Sequence, residues 1–346
     1  MWQSWFERQW QYKGWAQCLL LPLSWLFAGL AALRRALYRW RLFASSRLPV
    51  PVIVIGNISV GGVGKTPLVI HLAQALRAAG YSPGIISRGY GGRQTGAVSP
   101  ESAPELYGDE PVLIAQRSAS PVWVHALRAV AGRALLQAHP ETDVLICDDG
   151  LQHYALQRDI EIAVVNRPHG LGNGRLLPAG PLREPLKRLQ TVDLLVESGQ
   201  LPAAESQVPT AEKQAPAFQQ SLQLGQWTSL SDSSRHISLA ALQARPLVAI
   251  AGIAHPQRFF QTIQALGLNC ETKVFADHHA YTQADFADLS AKTILMTEKD
   301  AVKCRHLALS DAWFLPVTAE LKPLGHSQTF ADCVISLLKQ REGNKK

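Results

Sequence analysis

Short runs of apolar, mostly β-branched residues alternate with amphipathic stretches from about residue 50 onward. In the first half of the chain these runs predict strands at residues 52–55, 84–87, 122–125, 144–147, 160–165 and 194–197. Apolar positions at helical spacing predict helices over residues 65–79 and 127–138. Because apolar strands that alternate with amphipathic helices form parallel sheets covered on both faces, the pattern predicts an α/β fold with a mainly parallel sheet.

A second, shorter α/β series follows towards the C-terminus. It predicts strands at residues 247–251, 272–275, 293–296 and 313–316. Helices are expected from residue 256 onward and near 284–289. Between the two series, residues 200–226 are rich in Ala, Gln and Pro and show no sustained periodicity, which favours a linker. We therefore expect an N-terminal helical segment at 1–46, a main domain at 47–200, a linker at 201–245 and a smaller α/β domain at 246–346.

The N-terminal segment contains an uncharged apolar run at residues 15–33. About 20 apolar residues cross a membrane as a helix, so the run is of borderline length, and Gln17, Pro22 and Ser24 weaken the prediction of a clean span. Arginines follow the run directly. That order differs from a cleaved signal peptide and predicts an uncleaved, membrane-associated helix, either spanning or lying in the interface, with the remainder cytoplasmic. The alternative is an amphipathic helix buried in the protein.

Composition sharpens this interpretation. The net charge is +7, but the first 50 residues hold seven Lys/Arg against one acidic residue, which leaves 27 basic and 26 acidic residues for the remainder. Six of the nine tryptophans lie in the same 50 residues. A nearly neutral body argues against a nucleic-acid binder. The five cysteines form no C-x-x-C pair, so neither a disulfide framework nor a zinc site is expected.

The strongest chemical signal is a glycine-rich loop between the first predicted strand and the first predicted helix of the main domain. It predicts a P-loop, in which backbone N–H groups hold phosphates, Lys65 reaches the terminal phosphates and Thr66 binds Mg²⁺. Ser59 stands where the usual first glycine would be, and Gly61 and Gly62 supply flexibility instead. The candidate nucleotide-binding residues are Ser59, Gly61, Gly62, Val63, Gly64, Lys65 and Thr66.

Two carboxylates follow the predicted strand at 144–147, namely Asp148 and Asp149. A strand that ends in a carboxylate is the usual partner of a P-loop, where it coordinates Mg²⁺ directly or through water. The alternative is a pair of aspartates that cap a turn, and the sequence does not decide between the two residues as ligand. No N-K-x-D motif of a GTPase occurs, which favours a small-molecule kinase.

Further motifs occur in a fixed order along the chain. They are Gly56-Asn57, S-R-G-Y-G-G at 87–92, G-D-E-P at 108–111, D-D-G-L-Q-H at 148–153, G-N-G at 172–174, L-P-A-G-P-L-R-E at 177–184, D-H-H at 277–279 and T-E-K-D-A-V-K at 297–303. Together they resemble the tetraacyldisaccharide 4'-kinase family of lipid A biosynthesis from the N-terminal segment to about residue 305. In that family the first position of the P-loop is commonly not glycine.

The resemblance implies an ATP- and Mg²⁺-dependent kinase with a P-loop NTPase-type sheet. Its substrate would be the 4'-hydroxyl of a tetraacylated glucosamine disaccharide 1-phosphate, and its product the bisphosphorylated lipid A precursor, lipid IVA. It implies Asp109 as the base, paired with His278, and Asp277 as a group that orients a histidine. Since Asp109 and His278 lie on opposite sides of the predicted linker, we expect the pair to form only on domain closure.

The remaining candidates carry weaker expectations. Arg128 either stabilises the transferring phosphate or is a solvated helix residue, and Asp109 alone could cap the helix that begins near Pro111. The resemblance implies substrate or nucleotide contacts for Arg88, Tyr90, Glu110, Asn173 and Arg183, which could otherwise be ordinary surface or loop residues. Residues 297–303 border the nucleotide in this interpretation, without an assigned role.

The expected partners are the lipid disaccharide and the inner-membrane surface, with no nucleic acid and no obligate protein partner. The expected location is the cytoplasmic face of the inner membrane of a Gram-negative-type bacterium. Two rival interpretations remain open: a membrane-bound regulatory P-loop ATPase that acts as a partner switch, and a soluble sugar kinase with a packed N-terminal helix.

Overall fold

The computed structural model describes residue 10 and residues 14–166, 171–199 and 215–343 of the chain. The chain divides into two compact units. The first comprises Met1–Arg88, Leu127–Ser221 and Glu320–Lys346, and the second comprises Gly89–Ala126 and Leu222–Ala319. Residues 200–214, which include the beginning of the predicted linker, and the first nine residues lie outside the described part.

Helices and strands alternate along most of the described chain. The helices are α1 (Trp15–Arg39), α2 (Lys65–Ala78), α3 (Pro104–Tyr107), α4 (Asp109–Ser118), α5 (Arg128–Ala138), α6 (Leu239–Gln243), α7 (Pro256–Ala265), α8 (Glu298–Cys304) and α9 (Phe330–Gly343). Two 3-10 helices span Leu186–Thr191 and Gln283–Leu289. The strands are β1 (Val52–Gly56), β2 (Pro83–Ser87), β3 (Gly96–Val98), β4 (Val122–Val124), β5 (Val144–Asp148), β6 (Ile160–Asn166), β7 (Leu194–Ser198), β8 (Ala217–Leu224), β9 (Trp227–Ser229), β10 (His236–Ile237), β11 (Leu247–Ala251), β12 (Glu271–Val274), β13 (Thr293–Thr297), β14 (Ala312–Leu315) and β15 (Val317–Leu324).

The first unit is built on a parallel sheet in which β8, β7, β6, β1, β5 and β2 are neighbours in that order. Every residue of β1 and β5 is buried, as expected for parallel strands that are covered on both faces. Helices α2, α5 and α9 pack against the sheet. Because β1 and β5 are adjacent and parallel, the glycine-rich loop and the acidic residues after β5 emerge at the same edge.

The second unit contains a mixed sheet in the order β10, β9, β14, β13, β11, β12, with β9 and β10 antiparallel to their neighbours. Alternate residues of β11 enter two different cores. Ala249 packs with Phe259 and Ile263 of α7. Ile250 packs with Phe286 of the second 3-10 helix and with Ala301 of α8. Both faces of this sheet are therefore covered, and α8 is fixed to one of them. Strands β3 and β4 of the same unit pair with each other antiparallel.

Helix α1 buries Gln17 and Ser24 and exposes much of its apolar surface. Gln17 and Ser24 are 1% and 4% exposed, and the Ser24 hydroxyl donates to the Leu176 carbonyl at 2.8 Å. Leu19 and Trp25 are 72% and 68% exposed. Two of the three residues that weakened the prediction of a span, Gln17 and Ser24, are thus buried against the first unit, whereas Pro22 is exposed. Among the described residues, 17–39 form one helix long and apolar enough to cross a membrane.

The α/β fold with mainly parallel strands and a second α/β unit is confirmed. The prediction of a linker is wrong for residues 217–243, which form β8, β9, β10 and α6. The two units also differ from the predicted domains, whose boundaries were residues 46, 200 and 245. Gly89–Ala126 belongs to the second unit, and Glu320–Lys346 belongs to the first. The helix expected near 284–289 is a 3-10 helix.

Candidate active site

The glycine-rich loop leads from β1 into α2 and contains two glycines with positive φ angles. Gly61 and Gly64 have φ angles of 107° and 80°, which L-residues with a side chain rarely adopt. A Cβ on Gly64 would also lie 3.2 Å from side-chain atoms of Gln220 and Ser198. Ser59 lies in an antiparallel bridge with Leu182, an extended conformation that needs no glycine. The departure from the usual P-loop pattern is therefore tolerated by the backbone.

Lys65 points to the acidic edge of the neighbouring strand. Its Nζ lies 3.0 Å from Asp149 Oδ1 and donates to Asn57 Oδ1 at 3.3 Å. Arg183 Nη1 lies 3.6 Å from the other Asp149 oxygen. Burial alone raises the pKa of Asp149, but the charges of Lys65 and Arg183 outweigh burial and lower that pKa. The carboxylate is therefore ionised at neutral pH between two cations.

Asp148 and Asp149 supply the oxygen donors that a magnesium ion would need. Asp148 is 2% exposed, ends β5 and accepts a hydrogen bond from the Ser87 hydroxyl at 3.2 Å. Thr66 adds a hydroxyl in the first turn of α2. Mg²⁺ is typically held by one or two carboxylates together with substrate phosphates, so these residues fit the ion. No cluster of three or more His, Cys, Asp or Glu that could hold a metal occurs within the described ranges.

Arg128, the first residue of α5, lies beside this acidic edge. Its residue exposure is 4%, and its guanidinium Nη2 donates to the Asp149 carbonyl at 3.5 Å. The alternative of a solvated helix residue is therefore wrong. Arg128 is a third cation near Asp149, beside Lys65 and Arg183. Such an arrangement is suited to anionic phosphate oxygens.

A second cluster of candidate residues lies within the second unit. Asp109, at the start of α4, is 4% exposed, and its Oδ2 lies 3.0 Å from His278 Nδ1. Both residues belong to the same unit, since Gly89–Ala126 packs with Leu222–Ala319. The expectation that the pair forms only when two domains close is therefore wrong: it forms inside one unit.

The ionisation of the pair is set by mutual contact. Burial alone raises the pKa of Asp109, but the hydrogen bond with His278 and the charge of Lys299 lower it below its usual value. The same hydrogen bond raises the pKa of His278, against the opposing effect of burial. Asp109 also accepts the Glu110 N–H at 2.8 Å in the first turn of α4, where Gly108 is the N-cap. The carboxylate thus contributes to the helix start, but its histidine contact goes beyond that role.

Both candidate centres contain a strained residue. Asp149 and His278 have φ angles of 48° and 59°, in the left-handed region that residues other than glycine seldom occupy. Such outliers cost on the order of 1–3 kcal/mol and cluster at functional sites. The Tyr90 ring lies 5.2 Å from the His278 ring, centre to centre. Tyr90 is therefore placed beside the pair, while 65% of it remains exposed.

The other predicted substrate residues have different surroundings. Glu110 accepts a hydrogen bond from Lys299 at 3.1 Å, beside Asp109. Arg88 is exposed at the end of β2. Asn173 is 9% exposed and stabilises its own loop, because its amide donates to the Ala179 carbonyl and its Oδ1 accepts the Arg175 N–H.

Several residues of the two centres received no role from the sequence. Asn57 and Gln152 are linked by a 2.9 Å hydrogen bond from Gln152 Nε2 to the Asn57 carbonyl, and both stand in motifs that the sequence displays. Lys299 also stands in such a motif, T-E-K-D. Gln220 stands in no motif, because it lies within the predicted linker, and its amide donates to the Gly64 carbonyl at 3.0 Å.

Comparisons with known proteins identify the family of the chain. The family model described as tetraacyldisaccharide-1-P 4'-kinase matches residues 16–337. Curated proteins named tetraacyldisaccharide 4'-kinase from Dechloromonas aromatica and Methylobacillus flagellatus are each 49% identical, over 98% and 92% of this chain and the same shares of their own lengths. A crystal structure of LpxK from Aquifex aeolicus in complex with ATP is similar with a TM-score of 0.77 and 29% identity, covering 93% of this chain and 99% of that one. The chain therefore belongs to the tetraacyldisaccharide-1-P 4'-kinase family of enzymes.

Proposed function

We propose that the protein transfers the γ-phosphate of ATP to the 4'-hydroxyl of a tetraacyldisaccharide 1-phosphate, which yields lipid IVA. Family membership supports the reaction class. The observation that carries the proposal is the buried Asp109 carboxylate in contact with His278, in a chain that also has a phosphate-binding loop. A regulatory ATPase has no need of a proton acceptor for a sugar hydroxyl.

The Asp109–His278 pair is proposed to accept the proton of the attacking hydroxyl. A sugar hydroxyl is a weak nucleophile at neutral pH, and a positioned base contributes typically 10²–10⁴-fold to such a step. The hydroxyl oxygen forms a bond to the γ-phosphorus while the bond between that phosphorus and the β–γ bridging oxygen breaks. The displaced oxygen leaves on ADP, and the hydroxyl proton passes to the pair.

The glycine-rich loop is proposed to hold the triphosphate. Backbone N–H groups at the start of α2 and the Lys65 ammonium would bind phosphate oxygens. Thr66, Asp148 and Asp149 would hold Mg²⁺, which supplies further positive charge against the phosphates. Arg128 and Arg183 stand beside Asp149 and are proposed to stabilise the charge of the transferring group.

A direct assay tests this function. The purified protein is incubated with Mg-ATP and the disaccharide 1-phosphate in detergent micelles, and the lipid is analysed by mass spectrometry. We expect a mass gain of one phosphate and loss of the product after Lys65→Ala. ATP hydrolysis without phosphate on the lipid, stimulated instead by a protein partner, would refute the kinase proposal in favour of a partner switch.

We also propose that α1 holds the protein at the cytoplasmic face of the inner membrane. The exposed leucines of α1 recur at spacings of three and four residues and so form one stripe, and each is more than half exposed: Leu19, Leu23, Leu26, Leu30 and Leu33. A continuous exposed apolar face of this kind is typical of helices that bury it in a bilayer. Arginines at the C-terminal end of α1 would contact anionic headgroups, each contributing about 1 kcal/mol.

Vesicle flotation tests the membrane proposal. The triple variant Leu23→Gln, Leu26→Gln, Leu30→Gln should lose most binding to vesicles with anionic lipids. A matched control, Leu222→Gln with Leu224→Gln, changes exposed leucines of β8 and should bind like the wild type. Unchanged flotation of the triple variant would show that this stripe does not hold the protein at the bilayer.

A further inference from the structure

Helix α8 carries the T-E-K-D-A-V-K motif and touches the elements that hold the Asp109–His278 pair. Most charges of the motif are matched one to one. Glu298 forms an ion pair with Arg117 of α4, and Asp300 Oδ1 lies 2.7 Å from Lys303 Nζ. Asp300 also accepts the Tyr281 hydroxyl at 3.1 Å. These contacts fix α8 against its neighbours and leave little net charge.

Lys299 is the exception in this motif, because one ammonium faces three carboxylates. Its Nζ lies 3.1 Å from Glu110, 3.7 Å from Asp109 and 3.9 Å from Asp277. Two of these carboxylates come from α4 and the third from the loop that carries His278. The side chain is only 20% exposed, so the contacts are partly shielded from water. The Lys299 ammonium thus lies against a cluster of three carboxylates.

That position affects how the pair binds protons. A buried carboxylate beside two others binds a proton more tightly, since like charges disfavour ionisation. Lys299 opposes this effect on Asp109 and also opposes the rise in the pKa of His278 that Asp109 causes. Burial lowers the pKa of Lys299 itself, but the charges of Glu110, Asp109 and Asp277 outweigh burial and raise it. The ammonium therefore stays charged throughout the neutral range.

We propose that Lys299 is a positioning residue that keeps the Asp109–His278 pair unprotonated, and so ready to accept the hydroxyl proton, at neutral pH. The inference rests on the proposed function of the pair as the proton acceptor. The other groups that face the pair are Tyr90, whose ring lies against His278, and Lys303 of α8, which is neutralised by Asp300. Lys299 acts through the pair and requires no contact with substrate.

The pH profile of kcat tests this role. Removing the charge with Lys299→Met should raise the proton affinity of the pair, so the acidic limb should move upward by about one pH unit, and kcat should approach the wild-type value at high pH. Lys299→Arg keeps the charge and should keep the wild-type limb. KM for ATP should not change. The matched control is Lys292→Met, which removes a lysine paired at 2.7 Å with Glu271 elsewhere in the same unit.

A substrate-free measurement separates this inference from the proposed function. In protein with labelled histidine, the His278 resonance, assigned through its loss in His278→Gln, should titrate at higher pH in Lys299→Met than in the wild type. If the wild type does not phosphorylate the lipid, the proposed function fails and this titration still decides the role of Lys299. An unchanged titration, or a uniform drop in kcat with an unmoved acidic limb, would overturn the inference. Lys299→Gln provides the same comparison if Lys299→Met does not fold.

Discussion

The nucleotide loop and the Asp109–His278 cluster have opposite charge balances. Around Asp148 and Asp149, three cations face two carboxylates: Lys65, Arg128 and Arg183. Around Lys299, three carboxylates face one ammonium. An excess of cations is suited to anionic phosphate oxygens, whereas an excess of carboxylates beside a histidine is suited to a proton. We therefore propose that the two tasks of a kinase, phosphate binding and proton removal, fall to different sets of residues.

The two centres also differ in how the chain builds them. The loop depends on contiguous residues, because left-handed glycines and a helix start must follow the strand directly. The cluster gathers three segments, from the start of α4, the loop after β12 and the start of α8. We therefore expect changes in the loop to act mainly through phosphate, and changes in the cluster mainly through the proton.

The largest effect is expected from removing the central cation of the loop. Lys65→Ala should lower kcat by about a thousandfold, since removing one preorganised donor to developing charge typically costs about 10²–10³. Steady-state transfer of phosphate to lipid measures this effect. Lys339→Ala, on the exposed side of α9 in the same unit, is the matched control and should be active. A turnover of Lys65→Ala near that of the wild type would contradict a role of the glycine-rich loop in phosphate binding.

A smaller effect, on kcat and not on KM for ATP, is expected from a change in the Asp109–His278 cluster. Asp109→Asn should lower kcat by about a hundredfold, within the range for loss of a general base, while KM for ATP stays unchanged. The control is Asp288→Asn, which changes an aspartate of an exposed ion pair in the same unit. A loss of thermal stability with retained kcat would instead show that the carboxylate serves chiefly the start of α4.

The same contrast explains what the sequence predicts well. The apolar runs of β1 and β5 and the spacing of Gly61, Gly64 and Lys65 follow local rules, so the main sheet and the loop were predictable. Strand β8 was missed because Gln220 occupies a buried position, where it donates to the Gly64 carbonyl, and so masks the apolar pattern. A polar residue that is buried for a tertiary hydrogen bond gives no periodic signal.

The grouping of segments into units was beyond the sequence for a related reason. The run at 122–125 looks like any other apolar strand, and nothing local tells that residues 89–126 pack with the second unit. Family resemblance paired Asp109 with His278, but the one-to-three charge arrangement at Lys299 exists only through the packing of α4, α8 and the D-H-H loop. An electrostatic environment of this kind is seen only in the folded structure and not in the sequence.

The smallest expected effect is a pH dependence of stability that only the cluster should show. The hydrogen bond with Asp109 raises the folded-state pKa of His278, so its stabilisation is fully present below the unfolded value of about 6.5 and is lost as pH rises through the raised folded value. The pKa of Asp149 is lowered instead, so its contribution persists above its unfolded value and stays constant from pH 6 to 9.

Thermal unfolding between pH 6 and 9 tests this difference. The wild type should lose its advantage over Asp109→Asn as pH rises, by no more than the roughly 1.5–3 kcal/mol of a hydrogen bond to a charged group. Asp149→Asn should differ from the wild type by the same amount at every pH in that window. Because the raised pKa of His278 requires the Asp109 contact, parallel curves for wild type and Asp109→Asn would mean that this contact does not raise the proton affinity of His278, and the contrast between the two centres would lose its basis.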